Sequence, residues 1–302
     1  MKKIQLIYNP YAGVREFPKL LDFSLDVFNS RGYEVHIFRT TRREDFVELL
    51  NRPDCRDFEA VLVAGGDGSV NLAVNTLLKS GRDLPLGIIP AGTSNDLAKH
   101  LGISMDLSAA LKSLSDMKTG LIDVGLVNDV FFVNVCSGGL LSNVAHDVDL
   151  KLKNSFGRMA YYMKGVQELP RFSSMRLRLS NRELVMEDEF YLFLILNGSG
   201  AGGFDKVGGP ASIIDGKLDF LGIRPMPLNR LLVVFSKILR GEHIKDRHVV
   251  YFQFSSLKIE RLQGTLDHND TDVDGEKGPD YPLNISILPQ SLRIIIPHQL
   301  IR

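Results

Sequence analysis

Asp67 stands among three glycines in "VAGGDGSVN", residues 63–71, directly after a run of apolar, strand-forming residues. Glycines at a strand end (Gly65, Gly66 and Gly68) let backbone N–H groups come close to a phosphate, and a helix beginning there offers its positive N-terminus. Ser69 adds a hydroxyl, with Val70 and Asn71 following. A carboxylate in such a cradle repels phosphate unless a divalent cation lies between them, so Asp67 points to a Mg²⁺-nucleotide. Taken alone, the same residues also make a tight Gly-Asp-Gly turn that binds nothing.

Two further turns share this chemistry. "PAGTSND" at 90–96 supplies the Thr93 and Ser94 hydroxyls, for phosphate oxygens or for a helix cap, and sets Asn95 and Asp96 at the start of a helix. "YNPYAG" at 8–13 closes a first strand with Asn9, Pro10, Tyr11, Ala12 and Gly13. A fourth stretch is acidic. In "NDTDVDGEKG", 269–278, Asp270, Asp272 and Asp274 alternate and Gly275 follows, as at the start of a calcium loop. The position that must supply the bidentate acid is Tyr281, and Pro279 and Pro282 break the helix that should follow, so the calcium reading fails.

The elements that carry these turns follow from hydrophobic periodicity. "KIQLIYN", "YEVHIF", "AVLVAG" and "LGIIP" read as strands. Between them lie helical patterns: Phe17, Leu20, Leu21, Leu25 and Phe28 up to Gly32, then "REDFVELL", then Val70, Val74 and Leu77. This alternation predicts a mostly parallel sheet covered on both faces, with ligands at the carboxyl ends of its strands. From about residue 122 the texture becomes β-rich: "VFFVNVC", "MRLRLS", "EFYLFLILNGS", "KLDFLGI", "VVYFQFSSLKIE", "LNISIL" and "LRIIIP". Helical insertions are expected near 156–168 and 227–240. The second half reads as an antiparallel sandwich or barrel.

Composition narrows the class. A chain of 302 residues, 44% hydrophobic and 24% charged, is an ordinary globular protein with one large or two medium domains. Lys+Arg and Asp+Glu balance at 36 each, which argues against a dedicated nucleic-acid binder. Cys55 and Cys136 offer neither a disulfide framework nor a zinc site, which fits a reducing compartment. The apolar start of "MKKIQLIYNPYAG" is broken by Gln5 and Pro10, and no apolar run approaches the ~18–20 residues of a membrane span. A cytoplasmic protein is expected. Residues 151–182 hold eight Lys/Arg against one acid, Glu168; residues 230–247 set Arg230, Lys237, Arg240, Lys245 and Arg247 around an apolar face. Each stretch reads either as contact with anionic lipid head groups or as a solvated charged surface. Walker, protein-kinase and His-Glu-x-x-His motifs are absent, and His100, His146, His243 and His248 read as surface or supporting groups.

In combination and in this order, Asn9–Gly13, Gly65–Ser69 and Pro90–Asp96 resemble the lipid-kinase family of diacylglycerol and sphingosine kinases, above all its bacterial soluble diacylglycerol-kinase-like branch. The family's hallmarks are Asn-Pro-x-x-Gly, Gly-Gly-Asp-Gly-Thr and Pro-x-Gly-Thr-x-Asn-Asp. The likeness continues in "AYYMKG" at 160–165, "DGKLD" at 215–219, "RGEH" at 240–243 and "VDGE" at 273–276. It implies a three-layer α/β domain like those of phosphofructokinases and NAD kinases, over residues 1–125 with a returning segment at about 290–302. An antiparallel β-sandwich over 126–289 would form the lipid side. It further implies ATP and Mg²⁺, transfer of the γ-phosphate to the hydroxyl of a lipid such as diacylglycerol, and a phosphatidic-acid-type product. Contact with the inner face of a membrane is implied; a nucleic-acid partner is not, and a homodimer is admitted.

Residue by residue, the resemblance places ATP on Asn9, Pro10, Tyr11, Ala12, Gly13, Thr40, Gly65 to Asn71, Thr93, Asn95 and Asp96. Asp67, Asp96 and Asp123 of "LIDVG" would organise the catalytic Mg²⁺, although a turn aspartate capping backbone N–H groups fits Asp123 as well. Asp215, with backbone carbonyls near Ser212 and Lys217, would hold a structural Mg²⁺. "VDGE" would sit on a β-turn of the second domain and face the nucleotide, with Asp274 and Glu276 as strand-like residues able to point to one side; a polar hairpin turn is the alternative. One would hold Mg²⁺ and the other, Glu276, would accept the lipid proton. Two positions depart from the family: Ser69 replaces threonine but keeps the hydroxyl, and Leu72 replaces a glutamate. The rival readings are a soluble-metabolite kinase of the NAD-kinase type, which shares the Gly-Gly-Asp-Gly turn, and a non-catalytic nucleotide- or lipid-binding module.

Overall fold

The structure of the protein, a computed structural model, describes residues 2–52, 57–139, 174–263 and 271–297. The helix expected over 156–168, most of the basic stretch 151–182, Cys55, His146 and Asp270 lie outside the described residues. The chain forms two compact units, Met1–Val124 with Pro289–Arg302, and Gly125–Leu288.

The first unit is built on parallel strands in the order β2-β1-β3-β4: β1 (Lys2–Tyr8), β2 (Tyr33–Arg39), β3 (Phe58–Gly65) and β4 (Leu86–Pro90). Ile4, Leu6 and Ile7 of β1 and Ala60 to Ala64 of β3 are buried, because both faces of a parallel sheet are covered and the strands carry near-continuous apolar runs. Helices α1 (Leu21–Asn29) and α5 (Leu107–Leu114) pack together, as do α2 (Glu44–Leu50) and α3 (Asp67–Lys79). The short α4 (Asp96–His100) follows β4. The helix expected from Phe17 onward opens as a 3₁₀ turn, Phe17–Leu20, with a proline in its first turn.

In the second unit two antiparallel sheets enclose one core. One sheet has the order β12-β11-β10-β7-β14-β15, from β7 (Val135–Gly139), β10 (Leu192–Leu196), β11 (Leu218–Ile223), β12 (Val249–Phe254), β14 (Thr271–Val273) and β15 (Glu276–Lys277). The other joins β8 (Met175–Ser180), β9 (Val185–Phe190), β13 (Ser256–Gln263) and the first part of β16 (Leu283–Ile295). Leu177, Leu179, Ile259 and Ile285 from the second sheet meet Phe193, Phe220, Phe254 and Val273 from the first. A strand β5 (Thr119–Val127) ends by pairing with the short β6 (Val130–Phe132). Helix α6 (Leu228–Arg240) covers a smaller core that includes Leu196, Leu221 and Val234.

Two runs read as single strands are each two. "EFYLFLIL" breaks at Tyr191 and "VVYFQFSSLKIE" at Ser255, and the halves join different sheets of the sandwich. Continuous β-propensity cannot show where a strand changes sheets, since both halves are apolar. Conversely, "LNISIL" and "LRIIIP" belong to one strand, β16, through Pro289 and through Gln290 at φ +50°.

His243, expected at the surface or in support, is fully buried beyond the end of α6, and its Nε2 donates to the Val207 carbonyl at 2.9 Å. Burial pushes its pKa below the ordinary histidine range, against the opposing pull of the Val207 and Lys237 carbonyls. The unfolded chain therefore takes up the proton first as pH falls, and stability is lost below the unfolded value. Replacing His243→Gln, which keeps a donor for Val207, removes this dependence. The stability difference between wild type and variant, from urea unfolding, is expected to shrink between about pH 7.5 and about pH 5.5. A constant difference would exclude a buried neutral imidazole.

Candidate active site

The three glycine turns of the first unit follow β1, β3 and β4 at their carboxyl ends. Asn9 donates its N–H to Ala64 O at 3.0 Å, and its Oδ1 accepts the Tyr11 N–H at 2.9 Å. Gly13 has φ +51°, and a Cβ there would sit 2.4 Å from the Ala91 carbonyl. A Cβ on Gly92 would sit 2.3 Å from Gly66 Cα. Backbone thus lies against backbone at both junctions, and only glycine allows that approach. Thr40, after β2, donates both its N–H and its Oγ1–H to Tyr8 O, at 3.0 and 3.2 Å. The next turn is held by Asp45, which accepts the N–H groups of Thr41 and Arg42 at 2.6 and 3.0 Å. Those backbone donors hold its carboxyl well below the usual carboxylate range. Tyr11 is exposed, and the Arg15 guanidinium lies 5.3 Å from its ring centre, a cation at the first turn that the motif reading passed over.

Asp67 ties the second turn to the third. Its Oδ2 accepts the Asn95 N–H at 2.9 Å and its Oδ1 the Asp96 N–H at 2.7 Å. The cap of α4 therefore comes from Asp67 on the second turn, and not from Thr93 or Ser94, whose hydroxyls the sequence leaves open to either a cap or phosphate oxygens. Asn95, at φ +51°, turns its side chain back to Gly92 N–H (2.9 Å) and to the carbonyls of Pro90 and Gly92. Thr93 is exposed, Asn71 buried, and Leu72 half-buried on α3 with its carbonyl accepting the Thr76 hydroxyl at 2.8 Å. Asp123 lies within β5 and not in a turn; it is buried and accepts the Gln290 N–H at 2.8 Å. Among the described residues no three Asp, Glu, His or Cys side chains converge on one point, so Asp67, Asp96 and Asp123 do not form a closed cage of direct ligands.

In the second unit "VDGE" forms a two-residue hairpin. Val273 of β14 pairs with Glu276 of β15, and Asp274 and Gly275 between them have φ +50° and +87°. This is the type I′ geometry that Asp-Gly favours. The expected turn is present, but Asp274 and Glu276 do not alternate along one strand: Asp274 is a turn residue, and its side chain is buried. Its Oδ2 accepts the Val133 N–H at 2.8 Å, and its Oδ1 those of Asn134 and Val135 at 3.0 and 2.8 Å. Glu276 is half-exposed on β15. Behind the hairpin, Cys136 is buried and free, its thiol pKa pushed up by burial and by Asp272 and Asp274.

Residues with no assigned role complete this corner. Asn197, fully buried, donates its Nδ2–H to Val133 O (3.1 Å) and its N–H to Asn134 O (3.0 Å), so the loop that anchors Asp274 is fixed from its other side. At "SIIDGKLD" Asp215 Oδ1 accepts the Lys217 N–H at 3.0 Å and Ser212 Oγ the Ile214 N–H at 3.4 Å. Asp219 is fully buried; its Oδ1 accepts from Tyr251 and Gln253, while its Oδ2 has no hydrogen-bond partner among the described residues. Burial, with Asp215 nearby, pushes its carboxyl up. The repeated Asp in "DGKLD" was the available signal for this residue; the two asparagines carried none.

Comparison with known proteins shows the family. Residues 3–127 match the diacylglycerol kinase catalytic domain, and residues 134–296 match the YegS C-terminal NAD kinase beta sandwich-like domain. A diacylglycerol kinase of Bacillus subtilis is 33% identical, over 99% of this chain and 98% of its own. The chain belongs to the diacylglycerol kinase family. A second member, the diacylglycerol kinase of Staphylococcus carnosus, is 30% identical over 98% of this chain and 95% of its own. A solved structure of a diacylglycerol kinase from Bacillus anthracis shares the fold, with a TM-score of 0.81 at 23% identity over 98% of this chain and 97% of that one.

The anchoring roles of Asp67 and Asp274 in this family member can be measured. An amide offers one acceptor oxygen where a carboxylate offers two, so Asp274→Asn leaves at least one of three buried N–H groups facing an NH₂. The expected loss of stability is about 1–3 kcal/mol in urea unfolding, and Asp67→Asn should cost a similar amount. Unchanged midpoints would show that these bonds do not hold the turns.

Proposed function

We propose that the protein is an ATP-dependent lipid kinase that phosphorylates the hydroxyl of a diacylglycerol-type lipid and releases a phosphatidic-acid-type product. The observation that carries this reading is the backbone-to-backbone packing of three glycine turns at adjacent strand ends, beside the N-terminus of the 13-residue α3. Such a surface presents N–H groups and a positive helix end to phosphates and leaves little room for side chains. The reading assigns Asn9 to Gly13, Thr40, Gly65 to Asn71, Thr93, Asn95 and Asp96 to ATP.

Glu276 acts as general base in this scheme. Its carboxylate takes the proton of the lipid hydroxyl, whose oxygen bonds to the γ-phosphorus while the bond to the β–γ bridging oxygen breaks and ADP leaves with the electron pair. Asp274 serves as a positioning residue, because its three backbone bonds fix the turn from which Glu276 projects. Phosphoryl transfer needs little covalent help, so orientation and charge neutralisation supply most of the acceleration. The donor set suits Mg²⁺: Asp67, Asp96 and Asp123 would hold it together with water and phosphate oxygens, where it neutralises phosphate charge. A second, structural Mg²⁺ would rest on Asp215 and the carbonyls near Ser212 and Lys217, and the unpartnered Oδ2 of buried Asp219 supports a cation there. The same reading places the protein in the cytoplasm, in contact with the inner membrane face that holds its substrate.

Incubation with radiolabelled ATP and a total lipid extract, with mass identification of the product, tests the activity. NAD and diacylglycerol offered side by side separate it from an NAD-kinase activity. Glu276→Gln should lower turnover about 10²–10⁴-fold while leaving ATP affinity, from calorimetry, unchanged. Wild-type turnover in that variant would remove Glu276 from the base role.

A further inference from the structure

Helix α6 carries more apolar surface than its core uses. Val234 is buried and Leu231 and Ile238 are partly buried against the smaller core of the second unit. Leu232, Val233 and Leu239 are instead 48%, 42% and 56% exposed, three of the ten exposed large hydrophobics among the described residues. Leu232 and Leu239 lie seven residues apart, two turns along one face. Half-buried Phe235 lies between them, and Phe204 meets its ring edge-on at 6.0 Å. The result is an exposed apolar surface, Leu232 and Val233 with Leu239 two turns on, beside the core-facing stripe. A helix that only covered a core would carry polar residues there.

Charge on the helix itself has one sign. The helix, "LNRLLVVFSKILR", contains three bases and no acid. On one flank Arg230 and Lys237 are committed to buried Asp246, at 3.2 and 2.7 Å, and fix the helix to the unit. Asp246 is held below its ordinary range, chiefly by Lys237. At the C-terminal end Arg240 is exposed, and Lys206 lies against Gly241 at the rim. Lys245 and Arg247 are exposed just beyond it. The acids at this end are Glu242, which pairs with Arg240 at 3.2 Å, and Asp205. The loop bearing Phe204 and Lys206 is pinned by the His243–Val207 bond.

We infer that α6 is a membrane-docking helix: it lies along an anionic bilayer, with Leu232, Val233 and Leu239 entering the head-group boundary and Arg240 and Lys206 meeting lipid phosphates. An apolar stripe with a basic rim is the pattern of interfacial helices, and neither part suits a purely aqueous surface. The inference rests on the lipid-kinase reading only in that a lipid substrate gives the docking its use.

The experiment uses the full-length protein and vesicles of phosphatidylcholine with or without phosphatidylglycerol. Wild type is expected to float with the anionic vesicles, to bind neutral ones more weakly, and to be released by high salt. Leu232→Gln with Leu239→Gln keeps helix propensity and removes the stripe. This double variant should partition to anionic vesicles about tenfold less or worse, with an unchanged melting midpoint. It should still phosphorylate a short-chain, dispersed diacylglycerol at the wild-type rate and lose activity only on vesicle-embedded substrate. Lys206→Glu with Arg240→Glu should abolish the preference for anionic vesicles. Equal vesicle binding by the leucine double variant and wild type overturns the inference. So does sedimentation showing that wild type self-associates and this variant does not, since the stripe would then be covered by a second copy. If wild type phosphorylates no lipid, the kinase reading fails, while flotation still decides the docking.

Discussion

The carboxylate of Asp67 accepts two backbone N–H groups of the neighbouring turn, and the first unit's candidate nucleotide surface depends on that pair of bonds. They supply the cap that Asn95, in a left-handed conformation, does not give to α4. They also hold the Gly65–Ser69 turn beside the Pro90–Asp96 turn at a separation that requires glycine at 92. A side chain at Gly92 would push the two backbones apart and open the bonds to water.

The second unit repeats the device. Asp274 spends its carboxylate on three N–H groups of residues 133–135, and Asn197 holds the same loop through its carbonyls. Satisfying a loop from both sides leaves it little freedom, and the Asp-Gly turn that carries Glu276 inherits that rigidity. Preorganisation of this kind is what phosphoryl transfer requires, since its acceleration comes from position and charge. These carboxylates differ in what they touch. Asp67, Asp123 and Asp274 hold backbone, while Glu276 keeps its carboxylate half-exposed.

The helix α6 shows the same economy in apolar residues. One stripe closes a core and a second one remains at the surface, with Asp246 clamping the helix through Arg230 and Lys237. A clamped helix presents its free stripe in a fixed orientation, and binding a flat lipid surface then costs less ordering than it would for a loose segment.

Much of this was legible in the residues alone. Periodicity of 3.6 and continuous apolar runs determined the α/β first half, and β-rich runs determined the sandwich of the second, because burial on defined faces leaves its period in the sequence. The glycines, the aspartates and their order determined the family, because close backbone approach to phosphate admits few residue types. What the sequence did not contain was where each carboxylate points. Asp274 read as projecting to the same side as Glu276 from a turn, and Asp123 as part of a Mg²⁺ network or as a turn cap. The tertiary structure turns Asp274 onto residues 133–135 and sets Asp123 within β5, on the Gln290 N–H. The donors that claim them, at residues 133–135 and 290, are remote in sequence and are backbone groups that every residue carries. Breaks at Tyr191 and Ser255 were hidden for a related reason: a strand that changes sheets stays apolar throughout. Composition and spacing decide which chemistry a chain can hold; only long-range hydrogen bonding decided which of its acids are spent on holding the fold.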